Sequence, residues 1–248
     1  TPPSGTIIGT TDTQTLTNKT LTSPLMSDTW DDWVSANETW TYASASTITV
    51  PSGVASKYQK GDKIKLTQTT AKYFYVVSVA DTVLTVTGGS DYTVADATIT
   101  SPYYSKVENP QGFPNVFNYT PTWTAATTNP AIENGSIGGY FKISGTVCVV
   151  AISLTFGTTT SSGSGAWLFS APIDATPITI DSKSFMGSAY GRNIGTASSV
   201  GIARLNTTGS NINIYQGDGS GNSSTWDTDT PFTWGNSDNL SLSITYII

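Results

Sequence analysis

Apolar side chains recur at every second position along short segments of this chain, and this periodicity most constrains its fold. In the segment 147–156, one face of the predicted strand is continuously apolar and consists of Cys148, Val150, Ile152, Leu154 and Phe156. The opposite face is apolar at its start, at Val147 and Val149, and polar later, at Ser153 and Thr155. No window keeps the i, i+3, i+4, i+7 apolar spacing of an amphipathic helix. The sequence therefore predicts an all-β protein.

The composition suits such a protein and argues against several functions. Only 11% of the 248 residues are charged, against about 25% in an ordinary soluble domain. The 23 glycines and 12 prolines supply many turns. The formal net charge is −6, so we expect no nucleic-acid partner, because such proteins carry a basic stripe. We also expect no membrane insertion and no signal peptide, since the sequence has no apolar run of about 18 residues and no charged-then-apolar N-terminal pattern.

The chain has no histidine and only one cysteine. A Ser-His-Asp site, a Cys-His site and a Cys/His zinc site are therefore excluded. We expect no enzymatic activity, no cofactor and no bound metal. Cys148 lies in an apolar segment and is predicted to be a buried, small hydrophobic residue.

Residues 1–29 are predicted to form an extended N-terminal stem. Its segment 10–21, TTDTQTLTNKTL, contains only two large apolar side chains, Leu16 and Leu21. An isolated strand of this kind is not stable in water, so the segment either pairs with copies of itself or is a disordered polar linker. The residues that we expect to mediate oligomerisation are Thr13, Thr15, Leu16, Thr17, Asn18 and Leu21.

Two β domains are predicted to follow the stem. Residues 30–112 suit a small antiparallel β-barrel-like domain, with strand candidates at 47–50, 63–69, 72–79, 82–88 and 97–100. The stretch 103–114 is predicted to be the exit linker of this domain. Residues 113–248 suit a larger β-sandwich of the jelly-roll type, with strand candidates at 119–125, 140–144, 146–156, 166–172, 184–191, 199–206, 211–216 and 239–247.

Two tryptophans near the C terminus flank a polar loop. We expect Trp234 to belong to the core and Trp226 to be the better candidate for an exposed ring. Exposed aromatic rings among carboxylates suit stacking against sugars, so the candidate glycan-binding residues are Trp226, Asp227, Asp229 and Tyr215. The side-chain oxygens of Asp218, Ser220 and Asn222 alternate as in a calcium loop, but the expected glycine and bidentate glutamate are missing. We therefore favour a polar hairpin tip over a metal site there.

Three groups of motifs carry a resemblance to known proteins. TTDTQTLTNKTL closely resembles a motif that recurs in bacteriophage tail-fibre and related virion-fibre proteins. KGDKIKL, KYFYVV and SPYYSKVENPQGFP together resemble a segment of phage structural proteins. The series YTPTWTA, NGSIGGYFKISGTVCVVAISLTFG, SGAWLFSAP and PFTWGNSDNLSLSITY resembles a C-terminal domain of phage fibre proteins. These resemblances cover most of the chain, and their motifs are not catalytic.

The resemblance implies a fibre protein on the surface of a phage virion. It implies a homotrimer that contacts other virion proteins and binds a host cell-surface glycan or receptor, and three copies would strengthen weak contacts by multivalency. The alternative is a head-fibre protein that decorates the capsid. A polysaccharide depolymerase that uses Asp227 and Asp229 as its acid pair is a weaker alternative.

Overall fold

The computed structural model describes residues 31–176, 185–205, 209–217 and 223–248. These residues contain seventeen β-strands, one short 3-10 helix at Val54–Ser56 and no α-helix. No helix among them is long and apolar enough to cross a membrane. The strands pair in two antiparallel sheets, which confirms the all-β prediction. The predicted stem, 1–29, lies outside the described residues.

Seven strands form the first sheet: β1 (Val34–Ser35), β2 (Thr41–Ser44), β3 (Thr47–Thr49), β4 (Lys63–Gln68), β5 (Thr70–Ala80), β6 (Val83–Thr87) and β7 (Thr100–Ser105). They are hydrogen-bonded in the order β1-β7-β4-β5-β6-β3-β2. Tight turns join β4 to β5 at Thr69 and β5 to β6 at Thr82, and both residues have a φ of +69°. The predicted linker is partly wrong, because Tyr103 and Tyr104 lie in β7 and pair with β4.

The two edge strands of this sheet are consecutive in the sequence, and this forces the sheet to curl. The chain between Ser35 and Thr41 can span at most about 21 Å. A flat sheet of seven strands would be about 29 Å wide. The sheet is therefore a half-barrel, and apolar side chains fill its inner face, among them Ile48, Ile64, Leu66, Phe74, Val76 and Leu84.

Ten strands form the second sheet: β8 (Phe117–Tyr119), β9 (Trp123–Ala125), β10 (Ser136–Ser144), β11 (Val147–Thr155), β12 (Trp167–Ser170), β13 (Phe185–Asn193), β14 (Ala197–Leu205), β15 (Asn211–Gly217), β16 (Ser223–Thr225) and β17 (Asn239–Ile247). Nine of them follow the order β8-β10-β11-β17-β13-β14-β15-β12-β9, and β16 pairs with β15.

The second sheet curls more tightly than the first. Its edge strands β8 and β9 are also consecutive, and the chain between Tyr119 and Trp123 can span at most about 14 Å. The nine strands laid flat would be about 38 Å wide. The predicted sandwich therefore takes the form of one continuous sheet folded around its own core.

Apolar side chains at every second position of the central strands fill this core. In β11, Cys148, Val150, Ile152 and Leu154 point inward and are at most 2% exposed. The prediction that Cys148 is buried is confirmed. At one end, the core closes with a cluster of aromatic rings in mutual contact: Trp123, Phe156, Trp167, Trp226, Phe232 and Trp234. Trp234 belongs to the core, as predicted.

The two sheets are packed against each other through aromatic and ionic contacts. The rings of Tyr75, Phe113 and Phe117 lie with their centroids 5.0–5.5 Å apart. The carboxylate of Glu108 lies between Lys63 of the first sheet and Lys142 of the second, at 3.4 and 3.6 Å. The connection 106–116 therefore joins the two sheets closely, and the predicted domain boundary at 112/113 falls within it.

Candidate binding face

Five neighbouring strands of the second sheet form its outer face. β10, β11, β17, β13 and β14 are each nine residues long and adjacent in that order. Their inward side chains form the core, so every second residue points outward. The cross-strand register sets the outward residues in rows, two of which are Tyr140–Ala151–Ser243–Ser188–Ile202 and Gly138–Ser153–Ser241–Tyr190–Val200. We call this surface the outer face.

A groove of about 1050 Å³ lies in one half of the outer face. Its floor consists of small residues on β11, β17 and β13, namely Ala151, Ser153, Ser188, Ser241 and Ser243. Tyr140 rises on one side and is 51% exposed, and Tyr190 rises on the other and is 44% exposed. Three strand spacings, about 14 Å, separate the strands of the two tyrosines. The groove is therefore wide enough for an extended ligand.

The groove is neutral and rich in hydroxyl groups. No residue that lines it carries a formal charge. Ser90 and Asn118 close one end, where the backbone N–H of Ser90 donates to the Asn118 carbonyl at 2.7 Å. Tyr119 is also among the lining residues, but its ring packs against Phe141 in the core and its hydroxyl donates to the Ser170 carbonyl at 3.5 Å, so the phenol contributes no donor to the groove. The groove therefore offers neutral donors and acceptors beside exposed rings.

Apolar side chains occupy the other half of the outer face. We call them the apolar band, and they are Val147, Val149, Met186, Ile202 and Ile247, each 38–67% exposed. Val147 lies directly opposite Ile247 across β11 and β17. Met186 is opposite Arg204, whose neighbour on the same face of β14 is Ile202. Lys142 and Thr245, the cross-strand partners of Val149, and Arg204, the partner of Met186, lie among these side chains, so the band is a group of exposed apolar side chains interrupted by polar ones.

The structure contradicts the expectation that Trp226 is exposed. Its ring is fully buried, because β16 pairs with β15 and directs the following residue into the core. The ring fits against Gly191 and Gly201, where an added Cβ atom would lie about 3.0 and 2.9 Å from ring carbons. A stacking contact between this ring and a sugar is therefore not available in this structure.

The other predicted glycan contacts do not converge with Trp226. Tyr215 lies on β15, is half-buried, and has the guanidinium of Arg204 5.5 Å from its ring centroid. The carboxylate of Asp227 accepts hydrogen bonds from the backbone N–H groups of Asp229 and Thr230, so it stabilises a turn. Asp229 is exposed. Tyr215 and Trp226 thus point to opposite faces of the sheet.

Several predicted site residues lie outside the described residues. These are the six oligomerisation residues of the stem, Thr13, Thr15, Leu16, Thr17, Asn18 and Leu21, and the candidate calcium ligands Asp218, Ser220 and Asn222. In the part of the chain that the structure describes, no three His, Cys, Asp or Glu residues are grouped so that they could hold a metal ion.

The sequence contained a signal for the outer face that the site prediction did not use. The second face of β11 changes from valine to serine and threonine along the strand. That change marks the boundary between the apolar band and the groove. The cross-strand partners of these residues, such as Ser243 and Ile247, follow from the strand order and not from any local pattern.

Comparison with curated proteins gives one significant match. The chain is 28% identical over 131 residues to the Mu-like prophage FluMu defective tail fiber protein of Haemophilus influenzae, a match that covers 52% of this chain and 20% of the relative. The chain therefore spans about a fifth of the length of this relative. No protein-family model and no solved structure matches. The likeness supports a protein of the phage tail-fibre type and suggests a component of the phage virion.

Proposed function

We propose that this chain is a subunit of a homotrimeric phage fibre, lies on the virion surface and binds a glycan of the host cell. The observation that carries the binding part is the groove with its serine floor between Tyr140 and Tyr190. The likeness to a tail fiber protein supports the fibre part. Recognition lies on the outer face of the second sheet rather than in the loop that follows Trp226.

The chemistry of the groove suits a neutral sugar chain. Ligand sites combine apolar and aromatic walls with a few placed polar groups, and sugar rings have both apolar C–H faces and hydroxyl edges. Exposed tyrosine rings offer platforms for the former, and serine hydroxyls donate to and accept from the latter. The volume of about 1050 Å³ is at the upper end of the usual range for small-ligand pockets, which favours several linked sugar units.

Binding by three copies would compensate for weak single contacts. An open groove without charged groups gives modest affinity, since neutral hydrogen bonds in water contribute about 1 kcal/mol each. Three grooves on one fibre raise the effective concentration of the second and third contacts. Reversible multivalent attachment is the mechanism that we propose, with other virion proteins holding the opposite end of the fibre.

Two measurements test this function. Light scattering of the full chain should give a mass near three times 26.1 kDa, and a monomer at high concentration would contradict the homotrimer. Binding to isolated host surface polysaccharide should fall about tenfold or more in Tyr140→Ala and Tyr190→Ala, as expected when a central aromatic contact is lost. Asp229→Asn is the matched control from the other predicted site and should bind normally.

The results of the binding series have distinct meanings. Loss of polysaccharide binding in Asp229→Asn, with normal binding in both tyrosine variants, would indicate that the site lies in the C-terminal loop. Release of oligosaccharide from the polysaccharide would favour the depolymerase alternative over pure adhesion. Antibody labelling of virions should place the chain on the tail, and labelling of the head would favour capsid decoration.

A further inference from the structure

We infer that Asn118 is a specificity-determining contact of the groove, that Asp91 positions it, and that together they select a sugar hydroxyl group over a carboxylate. This inference deepens the proposed function and rests on it, because it identifies what one end of the groove recognises. Asn118 lies on β8 between the buried residues Phe117 and Tyr119, so its own side chain points to the outer face. It is exposed and lines the groove.

Asn118 is a direct neighbour of one of the two exposed tyrosines. It lies opposite Tyr140 in the register of β8 and β10, and side chains at opposite positions of antiparallel strands have their Cβ atoms about 5 Å apart. Gly138 leaves space beside Tyr140 on the same face of β10, because a Cβ atom added there would have no heavy atom within 4 Å except those of its chain neighbours. A sugar ring stacked on Tyr140 therefore has room at Gly138 and an amide within reach at Asn118.

A turn of the first sheet, which follows β6, holds Asn118 in one orientation. The Asp91 carboxylate accepts hydrogen bonds from the backbone N–H of Asn118 at 2.8 Å and from its Nδ2 at 3.0 Å. An ionised carboxylate only accepts hydrogen bonds, so the amide turns its NH₂ group towards Asp91. The backbone N–H of Ser90 donates to the Asn118 carbonyl at 2.7 Å, and Gly89 lies so close to this carbonyl that an added Cβ atom would clash with the oxygen. The turn therefore fixes both the backbone and the side chain of Asn118.

The fixed amide gives this end of the groove a defined chemistry. No described residue donates a hydrogen bond to Asn118 Oδ1, so this oxygen is left as an acceptor for a hydroxyl group of the ligand. A carboxylate on the ligand cannot donate to this oxygen, and it would lie near the negative charge of Asp91. Lys142, the cation that follows Tyr140 on the same face of β10, is ion-paired with Glu108 at 3.6 Å. This end of the groove therefore favours a sugar hydroxyl and disfavours a carboxylate.

The test compares host surface polysaccharide with the same polysaccharide after its primary hydroxyl groups have been oxidised to carboxylates. We expect the parent chain to bind the unoxidised form more tightly, by about fivefold or more. Asp91→Asn removes the charge, and its NH₂ group lets the Asn118 amide turn and present a donor to the ligand. The ratio of the two affinities should therefore fall by about threefold or more. Asp96→Asn makes the same chemical change at an exposed aspartate that does not line the groove, and should leave this ratio unchanged.

Two further variants separate the amide from the groove as a whole. Asn118→Ala removes the amide but keeps the backbone N–H that donates to Asp91, and it should also lower the affinity ratio. Gly138→Val fills the space beside Tyr140 and should weaken the binding of both polysaccharide forms by about tenfold. Urea unfolding of Gly138→Val should match that of the parent chain, because the added side chain meets no other residue.

The outcomes distinguish this inference from the proposed function. The inference is overturned if the parent chain binds both forms equally, or if its preference persists unchanged in both Asp91→Asn and Asn118→Ala. Weakened binding in Gly138→Val would in either case leave the groove as the glycan site. Normal binding in Gly138→Val and in Tyr140→Ala would contradict the proposed function itself.

Discussion

The two sheets of this chain differ in what covers their outer faces. The first sheet is covered by the chain itself: Tyr73 and Tyr75 on its outer face pack against Phe113 of the connection between the sheets. Trp33 also contacts Phe113, and the ammonium of Lys65 lies 4.8 Å from the Trp33 ring centroid. The outer face of the first sheet is therefore buried by other side chains of the same chain.

The second sheet buries its inner face equally well but leaves its outer face open. The groove and the apolar band have no cover among the described residues. Both sheets curl for the same reason, since consecutive strands form their two edges. The comparison shows that curling buries only the inner face of such a sheet. The outer face is covered either by other parts of the same chain or by a partner, and we assign the outer face of the second sheet to a partner.

The substitution Trp226→Ala should distinguish the inner face of the second sheet from its outer face most clearly. Its ring is fully buried against Gly191 and Gly201, and replacement by alanine should lower the free energy of unfolding by about 3–5 kcal/mol. Tyr190→Ala removes a ring from the opposite face beside Gly191 and should cost only about 0.5 kcal/mol. Urea unfolding followed by circular dichroism measures both. Equal losses in the two variants would contradict the division into inner and outer faces.

Beside its apolar core, the first sheet has a polar network around Glu38, and Glu38→Gln should weaken it. The Glu38 carboxylate accepts hydrogen bonds from Lys57 Nζ at 2.6 Å and from Trp40 Nε1 and the Tyr58 hydroxyl at 2.8 Å each. A glutamine side chain at this position would lack the charge and one acceptor oxygen, and we expect a loss of about 1–3 kcal/mol at pH 7. Glu133, which is exposed, provides the control Glu133→Gln, which should change stability by less than about 0.5 kcal/mol.

The pH dependence of the same variant has a definite sign. Burial raises the pKa of Glu38, but the hydrogen bonds from Lys57, Trp40 and Tyr58 together lower it more, so its pKa lies below the ordinary value of 4.5. Its stabilising effect is therefore present above pH 4.5 and is lost as the pH falls through the lower, folded-state value. The difference between parent chain and Glu38→Gln should shrink in acid. A difference that stays constant from pH 7 to pH 3 would contradict this role.

Local patterns were sufficient for the class of fold but not for the arrangement of strands. The alternation in β11 correctly predicted a strand and the burial of Cys148. The segment 119–125 was predicted as one strand, yet Tyr119 ends β8 and residues 123–125 form β9, and these two strands lie at opposite edges of one sheet. Pro121 stands between them and cannot donate a backbone hydrogen bond. The strands with which β8 and β9 pair are determined by contacts with distant parts of the chain, and no local pattern contains that information.

The same limit explains the error at Trp226. Its polar neighbours suggested a surface loop, but its exposure depends on which way β16 faces and on two distant glycines. Gly191 and Gly201 leave the space that the indole fills, and a sequence shows them only as breaks in strand patterns. The groove was missed for a related reason, because Ser153, Ser188 and Ser243 come together only through the strand order.

The smallest expected effect concerns the one cysteine, which probes the two faces of a single strand. Burial raises the pKa of Cys148 to about 11, although a hydrogen bond with Tyr246 lowers it in part, and the buried thiol is fully protonated at pH 8. A thiol reagent should therefore leave the native protein unlabelled and react once after unfolding in guanidinium. Ser153→Cys puts a second thiol on the exposed face of β11 and should react at once, to one label per chain. Rapid labelling of the parent chain under native conditions would show that β11 opens readily, and the contrast between a closed inner face and an accessible outer face would then fail.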